Sequence, residues 1–160
     1  MTTPAAFEPW SETRTAEIAA ARAKEAGALL PLLQDLQTVF GHIPDAAVPI
    51  VAHALNLSRA EVHGVLTFYH DFRRSPPGRR ILKVCRAEAC QARGAREAIR
   101  SIETALQLRL GDTAEDGSMT FEEAYCLGLC ATGPAALLDA TPVARLKGDR
   151  LKRLIDEVRG

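Results

Sequence analysis

The 160-residue sequence has no charge excess, no long uncharged apolar run, no internal repeat and no low-complexity tract. Twenty Lys and Arg balance twenty Asp and Glu. That balance argues against a generic nucleic-acid binder, whose surface carries a basic excess. No window reaches the roughly 18 apolar residues of a membrane span, so no direct membrane insertion is expected. The opening MTTPAAFEPWSETR lacks the basic start and apolar core of a secretory leader. A cytoplasmic chain is therefore expected. G-x-G-x-x-G and G-x-x-x-x-G-K-S/T are both missing, so no nucleotide site of those forms is visible. C-x-x-C, the spacing of a redox dithiol, is missing too.

What remains is an ordinary globular composition, 47% apolar and 25% charged, at a length that fits one large domain or two small ones. Sixteen of the twenty bases are Arg, which suits fixed hydrogen-bonded partners better than a Lys coat would. The four cysteines, Cys85, Cys90, Cys126 and Cys130, all lie in the second half. A cytosolic chain keeps its thiols reduced, so clustered cysteines point to metal or redox chemistry rather than to a disulfide framework.

The first half reads as helices. Residues 12–27 are Ala- and Glu-rich, with strong helix propensity and a weak apolar stripe. Leu29, Leu32, Leu33, Leu36 and Phe40 recur at helical spacing, Pro31 sits early enough to be tolerated, and Gly41 stops the run. Asp45 is expected to cap a third helix bearing Val48, Val51 and Leu55. Ser58 and Glu61 form an S-x-x-E capping box before Val62, Val65, Leu66 and Tyr69. Together these predict a small bundle over roughly 12–70. The stretch DFRRSPPGRR, residues 71–80, forbids a helix at Pro76 and Pro77 and reads as a linker.

The second half alternates. Ile81 to Val84 predict a buried strand ending at Cys85, and residues 93–107 a helix facing a core through Ala95, Ile99, Ile102 and Leu106. Asp116-Gly117 is a turn signal, and Met119 to Tyr125 predict a strand ending at Cys126. Ala135–Leu138 and Val143–Leu146 suggest a hairpin. Asp149 is expected to cap a last helix bearing Leu151, Leu154, Ile155 and Val158. The order β-α-β-β-β-α calls for a small sheet with helices packed on it. If the first two strands are parallel, the β-α-β unit brings Cys85 and Cys126 to one end of the sheet, the end where open α/β sheets bind ligands. Cys90 and Cys130 lie in the loops just beyond. C-x4-C and C-x3-C then make one four-thiolate site. Zinc usually takes C-x2-C knuckles, whereas a two-iron cluster suits two separated loops giving two sulfurs each. Iron–sulfur, zinc and purely structural or regulatory thiols all stay open, with spacing favouring the first.

Three segments carry a resemblance. LPLLQDLQTVFGHIPDAAVPIVAHALNLSRAEVHGVLTFYHDF, VCRAEAC with its following helix, and EDGSMTFEEAYCLGLCATGPAALLD resemble the thioredoxin-like [2Fe-2S] ferredoxin family over roughly residues 28–158. The family includes the 24 kDa-type subunit of NADH:quinone oxidoreductase and its equivalents in NAD-linked hydrogenases and NAD-dependent formate dehydrogenases. The stretch CRAEACQARGA is most similar to the gamma-type subunits of soluble formate dehydrogenases. Respiratory members commonly carry Ala-Pro shortly after the last cysteine, where this chain has Ala131-Thr132-Gly133-Pro134.

The resemblance implies an α/β chain with a helical domain and linker over residues 1–78 and a thioredoxin-like [2Fe-2S] domain over 79–160. It implies one [2Fe-2S] cluster on Cys85, Cys90, Cys126 and Cys130, electron transfer as the role, and no complete active site in this chain alone. It implies a flavoprotein partner carrying FMN and the NAD(H) site. In a formate dehydrogenase it also implies a larger iron–sulfur and molybdenum catalytic subunit. The alternative of another class is a zinc-stabilised adaptor without a redox role.

Other candidates read more plainly. His42, His53, His63 and His70 lie in the helical half, away from the cysteines, and suit surface or packing roles better than ligation. Phe68, Tyr69 and Phe72 are either an interface anchor or inter-domain packing. Trp10 is expected in a tail. Arg73, Arg74, Arg79 and Arg80 read as a solvated basic run or as a docking patch. Arg86, Arg93 and Arg96 flank the first cysteine pair, where cations favour the reduced state of an anionic cluster; Glu122 and Glu123 would oppose them if they face it.

Overall fold

The computed structural model describes residues 7–159. The opening six residues, on which the leader expectation mostly rests, and the outer ends of the 1–78 and 79–160 spans lie outside the described residues. The chain divides into two compact units, one ending at Pro76 and the other beginning at Pro77.

The first unit holds four helices, α1 (Glu12–Arg22), α2 (Leu29–Phe40), α3 (Ala47–Leu55) and α4 (Arg59–Phe68). Helix α1 is shorter than the predicted 12–27. It buries only Thr15 and Ala19, so nothing apolar continues its stripe, and Gly27 turns the chain at φ +70°. Arg22 ends it, bonded to Asp35 of α2 at 2.7 Å. Helix α2 behaves as its pattern predicts, burying Leu32, Leu33, Leu36 and Phe40 and closing on Gly41 at φ 74°.

Asp45 does not cap α3. The cap residue is Ala46, without a side-chain bond, and the first turn is closed by Ala47 N–H to the Pro44 carbonyl. The Asp45 carboxylate instead pairs with Arg74. The Ser58–Glu61 capping box on α4 forms as expected. Two bonds from Ser58, its backbone N–H first, hold the Glu61 carboxyl below its ordinary range.

Trp10 is not in a free tail; it packs against the core of Leu32, Leu33, Leu36, Phe40, Ile43, Val51 and Val62. Residues 71–73 are tied down as well. Gln37 donates to the Asp71 carbonyl and accepts from Arg73 N–H, while Ile43 N–H donates to the Arg73 carbonyl.

The second unit holds β1 (Arg80–Cys85), α5 (Glu88–Ala92), α6 (Ala95–Leu106), β2 (Met119–Ala124), β3 (Ala135–Leu138), β4 (Thr141–Ala144) and α7 (Gly148–Arg159). The sheet order is β2-β1-β3-β4. Strands β1 and β2 are parallel, with Arg80 opposite Met119 and Cys85 opposite Ala124; β3 runs antiparallel to both β1 and β4. Leu82, Val84, Ile99, Ile102, Phe121, Leu138, Leu146 and Leu154 form the core.

Three details depart from the sequence reading. The helix predicted over 93–107 forms as α6, but a separate single turn, α5, precedes it, parted from it by Gly94 at φ 96°. Strand β4 starts at Thr141 rather than Val143. Asp139, in the left-handed region at φ 55°, turns the chain within two residues and accepts from Ile81 N–H at 2.9 Å. Leu146 lies beyond the strand, buried in the core, with its N–H on the Pro134 carbonyl. Asp149 sits in the first turn of α7, which begins at Gly148, and there it favours the helix through the dipole rather than as a cap.

Gly78 joins this unit to β2. It is buried, its N–H donates to Thr120 Oγ1 at 2.6 Å, and a Cβ there would lie 2.4 Å from the Met119 carbonyl carbon.

Candidate functional site

Parallel pairing of β1 and β2 sends both strands to the same edge of the sheet, so Cys85 and the chain two residues past Ala124 emerge side by side. Arg86 N–H donates to the Ala124 carbonyl at 2.8 Å, extending the ladder one step past the strands. Cys85 closes β1. Five residues on, the single turn of α5 carries Cys90 back over it, fixed by Cys90 N–H to the Ala87 carbonyl and by the Gln91 side chain on the Arg86 carbonyl. On the other loop Cys126 adopts φ 77° and Gly128 φ 74°, and this reversal swings Cys130 back towards Cys126. Cys130 then opens a 3-10 turn, Cys130–Thr132.

The structure therefore brings all four predicted cysteines to one end of one sheet, as two pairs. Sγ of Cys126 and Sγ of Cys130 are 3.9 Å apart. Two metal–sulfur bonds of about 2.3 Å at a tetrahedral angle separate the sulfurs by about 3.8 Å, so this pair has the spacing of two thiolates on one metal. Cys85 and Cys90 form the other pair, packed together in one buried cluster. Among the described residues no three Cys, His, Asp or Glu side chains surround a single point.

The pairs differ in exposure. Cys85 and Cys90 are each 1% exposed, in a small apolar cluster with Ala95 and Ala135 that Ala87, Leu127 and Leu129 cover. Cys126 and Cys130 are exposed.

Their protonation differs for the same reasons. Burial raises Cys85, but N–H groups of Ala87, Leu127 and Cys126 and the Cys90 thiol outweigh it, and the net shift is downward. Burial pushes the Cys90 thiol up, and so does donating to Cys85; the Ala135 N–H works against both. Cys130 is raised chiefly by its bond to Cys126. Cys85 is thus the thiol of this buried pair whose ionised form its surroundings favour more. Such a donor set fits a thiolate-held metal centre and leaves no need for a nearby base.

The flanking charges are less free than the sequence suggests. Arg86 is ion-paired with Glu123, and Lys83 with Glu122 at 3.7 Å, so the two expected opposing effects largely meet each other. Arg96 bonds Gln91 at 2.8 Å. Arg93 donates from Nε to the Gly133 carbonyl at 3.0 Å. The run at 73–80 is tied down in part, although Arg74 and Arg79 stay exposed. Arg74 pairs with Asp45; Arg79 N–H bonds the Gly117 carbonyl; Arg80 pairs with Asp139 at 3.3 Å. The four histidines lie in the helical unit, His42 with its Nδ1 on the Phe40 carbonyl. Phe68 and Tyr69 stand 72% and 44% exposed, edge to face, while Phe72 packs on the helical core.

Sequence reasoning missed two features of the site. The α5 turn is too short to show a periodicity, although Gly94 marks its end. The contact of Gly133 with Cys90 has no sequence signal, because the two lie 43 positions apart and meet only through the sheet.

Relatives cover nearly the whole chain. A subunit of the NADH-quinone oxidoreductase of Pseudomonas aeruginosa is 32% identical over 129 residues, 81% of this chain and 78% of that protein. A subunit of the NADH-quinone oxidoreductase of Rhizobium meliloti is 33% identical over 144 residues, 89% and 86% of the two chains. The HndA subunit of the NADP-reducing hydrogenase of Solidesulfovibrio fructosivorans is 28% identical over 131 residues, 82% and 77% of the two chains. The crystal structure of an NAD+-reducing [NiFe]-hydrogenase in its H2-reduced state superposes with a TM-score of 0.70 at 24% identity, over 84% of this chain and 22% of that one. This chain thus spans about a fifth of that solved chain, and the likeness is one of fold. Residues 15–159 match one family along their whole length, and on that match the chain belongs to the thioredoxin-like [2Fe-2S] ferredoxin family.

Proposed function

We propose that this chain is the electron-transfer subunit of a multi-subunit NAD-linked oxidoreductase, with one [2Fe-2S] cluster held by Cys85 and Cys90 on one iron and Cys126 and Cys130 on the other. The observation that carries the reading is the arrival of four thiols, in two pairs, at the shared end of β1 and β2. Two pairs suit two irons better than the single tetrahedral centre of a structural zinc. When bound, the cluster exchanges one electron at a time.

The chain's own residues do the rest. Leu127, Leu129 and Ala87 keep water from the Cys85–Cys90 side. The N–H groups on Cys85 and Cys90 stabilise negative charge there and so favour the reduced state. The exposed Cys126–Cys130 loop is the side open to a redox partner.

The partner in this reading is a flavoprotein carrying FMN and NAD(H), and exposed Phe68 and Tyr69 of the helical unit suit a contact with it. The preferred host is a soluble formate dehydrogenase, with a molybdenum catalytic subunit, on the similarity of CRAEACQARGA to its gamma-type subunits. A second reading, favoured by identity to the NADH-quinone oxidoreductase and HndA relatives over four-fifths of the chain, is the equivalent place in an NADH dehydrogenase or a hydrogenase.

The cluster is tested on anaerobically purified protein by iron and sulfide content, visible absorption and electron paramagnetic resonance of the reduced form. Two irons, two sulfides and a red-brown colour are expected, and each Cys→Ser variant should lose iron or shift the signal. A colourless protein with one zinc establishes the adaptor instead. Purification of the tagged chain with its partners tests the host: molybdenum and formate-dependent NAD+ reduction are expected, and a complex without either refutes it.

A further inference from the structure

The two cysteine loops are joined by one side chain. Arg93, the residue that ends α5, lies on the first loop, and its Nε donates to the carbonyl of Gly133 on the second at 3.0 Å. Gly133 is buried and sits directly against the first loop's sulfur: a Cβ on it would lie 3.1 Å from Cys90 Sγ and 3.5 Å from Arg93 Cδ. Two residues on, Ala135 is buried in the same small cluster as Cys90. The backbone from Gly133 to Ala135 thus forms a seat for the Cys90 sulfur. Arg93 lays its stem on that seat beside Cys90 Sγ and donates to the Gly133 carbonyl, tying the first loop to the second.

We infer that Arg93 is a positioning residue for the metal centre, a clamp that locks the Cys130–Ala135 segment onto Cys90 and so holds the two cysteine pairs at a constant separation. The inference rests on the cluster reading above. Neither loop is regular enough to hold that separation alone. The first contains one turn of helix and the second one 3-10 turn; the sheet ties their bases, with Arg86 N–H on the Ala124 carbonyl and Val84 opposite Ala136, and Arg93 adds a side-chain tie at Gly133. An arginine serves here because its planar fork is pre-organised: the donor is held at the carbonyl with little further loss of rotamer freedom. A charged donor on a buried carbonyl is also stronger than a neutral one. The clamp acts through geometry, which separates it from a cation that tunes the potential through its field. A field effect fades with salt, whereas a clamp does not.

The test compares Arg93→Met, which keeps the stem and loses the donors, with Arg93→Lys, which keeps the charge and loses the planar fork. Both are loaded in the full chain. Loss of visible absorbance under an iron chelator, the electron paramagnetic resonance signal and the midpoint potential are read at low and high salt. The Met variant should bleach about tenfold faster than the parent, the equivalent of about 1.4 kcal/mol. Its signal should shift, equally at both salt concentrations, and the Lys variant should fall between the two. Parental bleaching and signal in the Met variant overturn the clamp. So does a potential shift that disappears in high salt with bleaching unchanged, or a Lys variant identical to the parent. If the Met variant does not fold, the Lys variant decides by the same comparison: faster bleaching supports the clamp and parental bleaching overturns it. Failure of the parent itself to carry two irons and two sulfides refutes the cluster reading instead, so the two failures are distinct.

Discussion

Replacing Gly133 by Ala puts one methyl group against the buried sulfur, and the structure sets its effect. The backbone there is at φ −60° and ψ 162°, an ordinary conformation for alanine, so no strain arises from the chain itself. By lowering the entropy of the unfolded chain the substitution favours folding by about 0.4–1 kcal/mol. The cost is steric. The new Cβ stands 3.1 Å from Cys90 Sγ, where relaxed contacts lie at about 3.5–4.0 Å, so sulfur and methyl must part by about half an ångström. In the metal-free protein this is overpacking, worth about 1–3 kcal/mol and partly offset by the entropy gain. At a metal centre the same displacement is decisive, because ligand distances tolerate about 0.2 Å. Gly133→Ala should therefore keep the fold, with a metal-free unfolding midpoint close to the parent's, while losing more than half its iron and shifting the electron paramagnetic resonance signal. Iron and sulfide analysis after anaerobic reconstitution, beside urea unfolding of the metal-free protein, makes the comparison. Parental iron content with an unaltered signal would show that Cys90 Sγ does not rest on Gly133 in the loaded protein, and the reasoning fails.

Gly78→Ala drives a methyl group to 2.4 Å from backbone of β2 and breaks the bond to Thr120, so the metal-free protein should lose about 2–5 kcal/mol in urea unfolding; a loss below about 1 kcal/mol contradicts the packing. Arg86 and Glu123 should act on the potential with opposite signs: at low salt Arg86→Gln lowers the midpoint by a few tens of mV, Glu123→Gln raises it, and the double variant returns near the parent. Redox titration showing both single variants moving in one direction would sink that pairing. The depressed Glu61 carboxyl contributes stability that is complete above its ordinary value of 4.5 and is lost as pH falls through its lower folded value. Glu61→Gln should flatten the acid side of the unfolding midpoint against pH, and an acid limb as steep as the parent's counts against the capping box.

The elements legible in the sequence are those whose causes are local. The stripe from Leu29 to Phe40 ending at Gly41, the Ser58–Glu61 box and the strand run into Cys85 each depend on residues a few positions apart, and each appears where its pattern lies; the strand predicted from Met119 to Tyr125 stops at Ala124. The grouping of the four cysteines was legible for a topological reason, since a β-α-β return brings two strand ends to one edge whatever the side chains are. The errors fall where a distant partner outbids a local preference. Asp45 has the chemistry of a cap, but Arg74 holds it. Tertiary structure alone decided which thiols are dry, which loop faces outward, and that Arg93 reaches Gly133. Those facts depend on contacts between segments about 40 residues apart. Loop conformation sets such contacts at distances of a few ångströms, and no local periodicity encodes them.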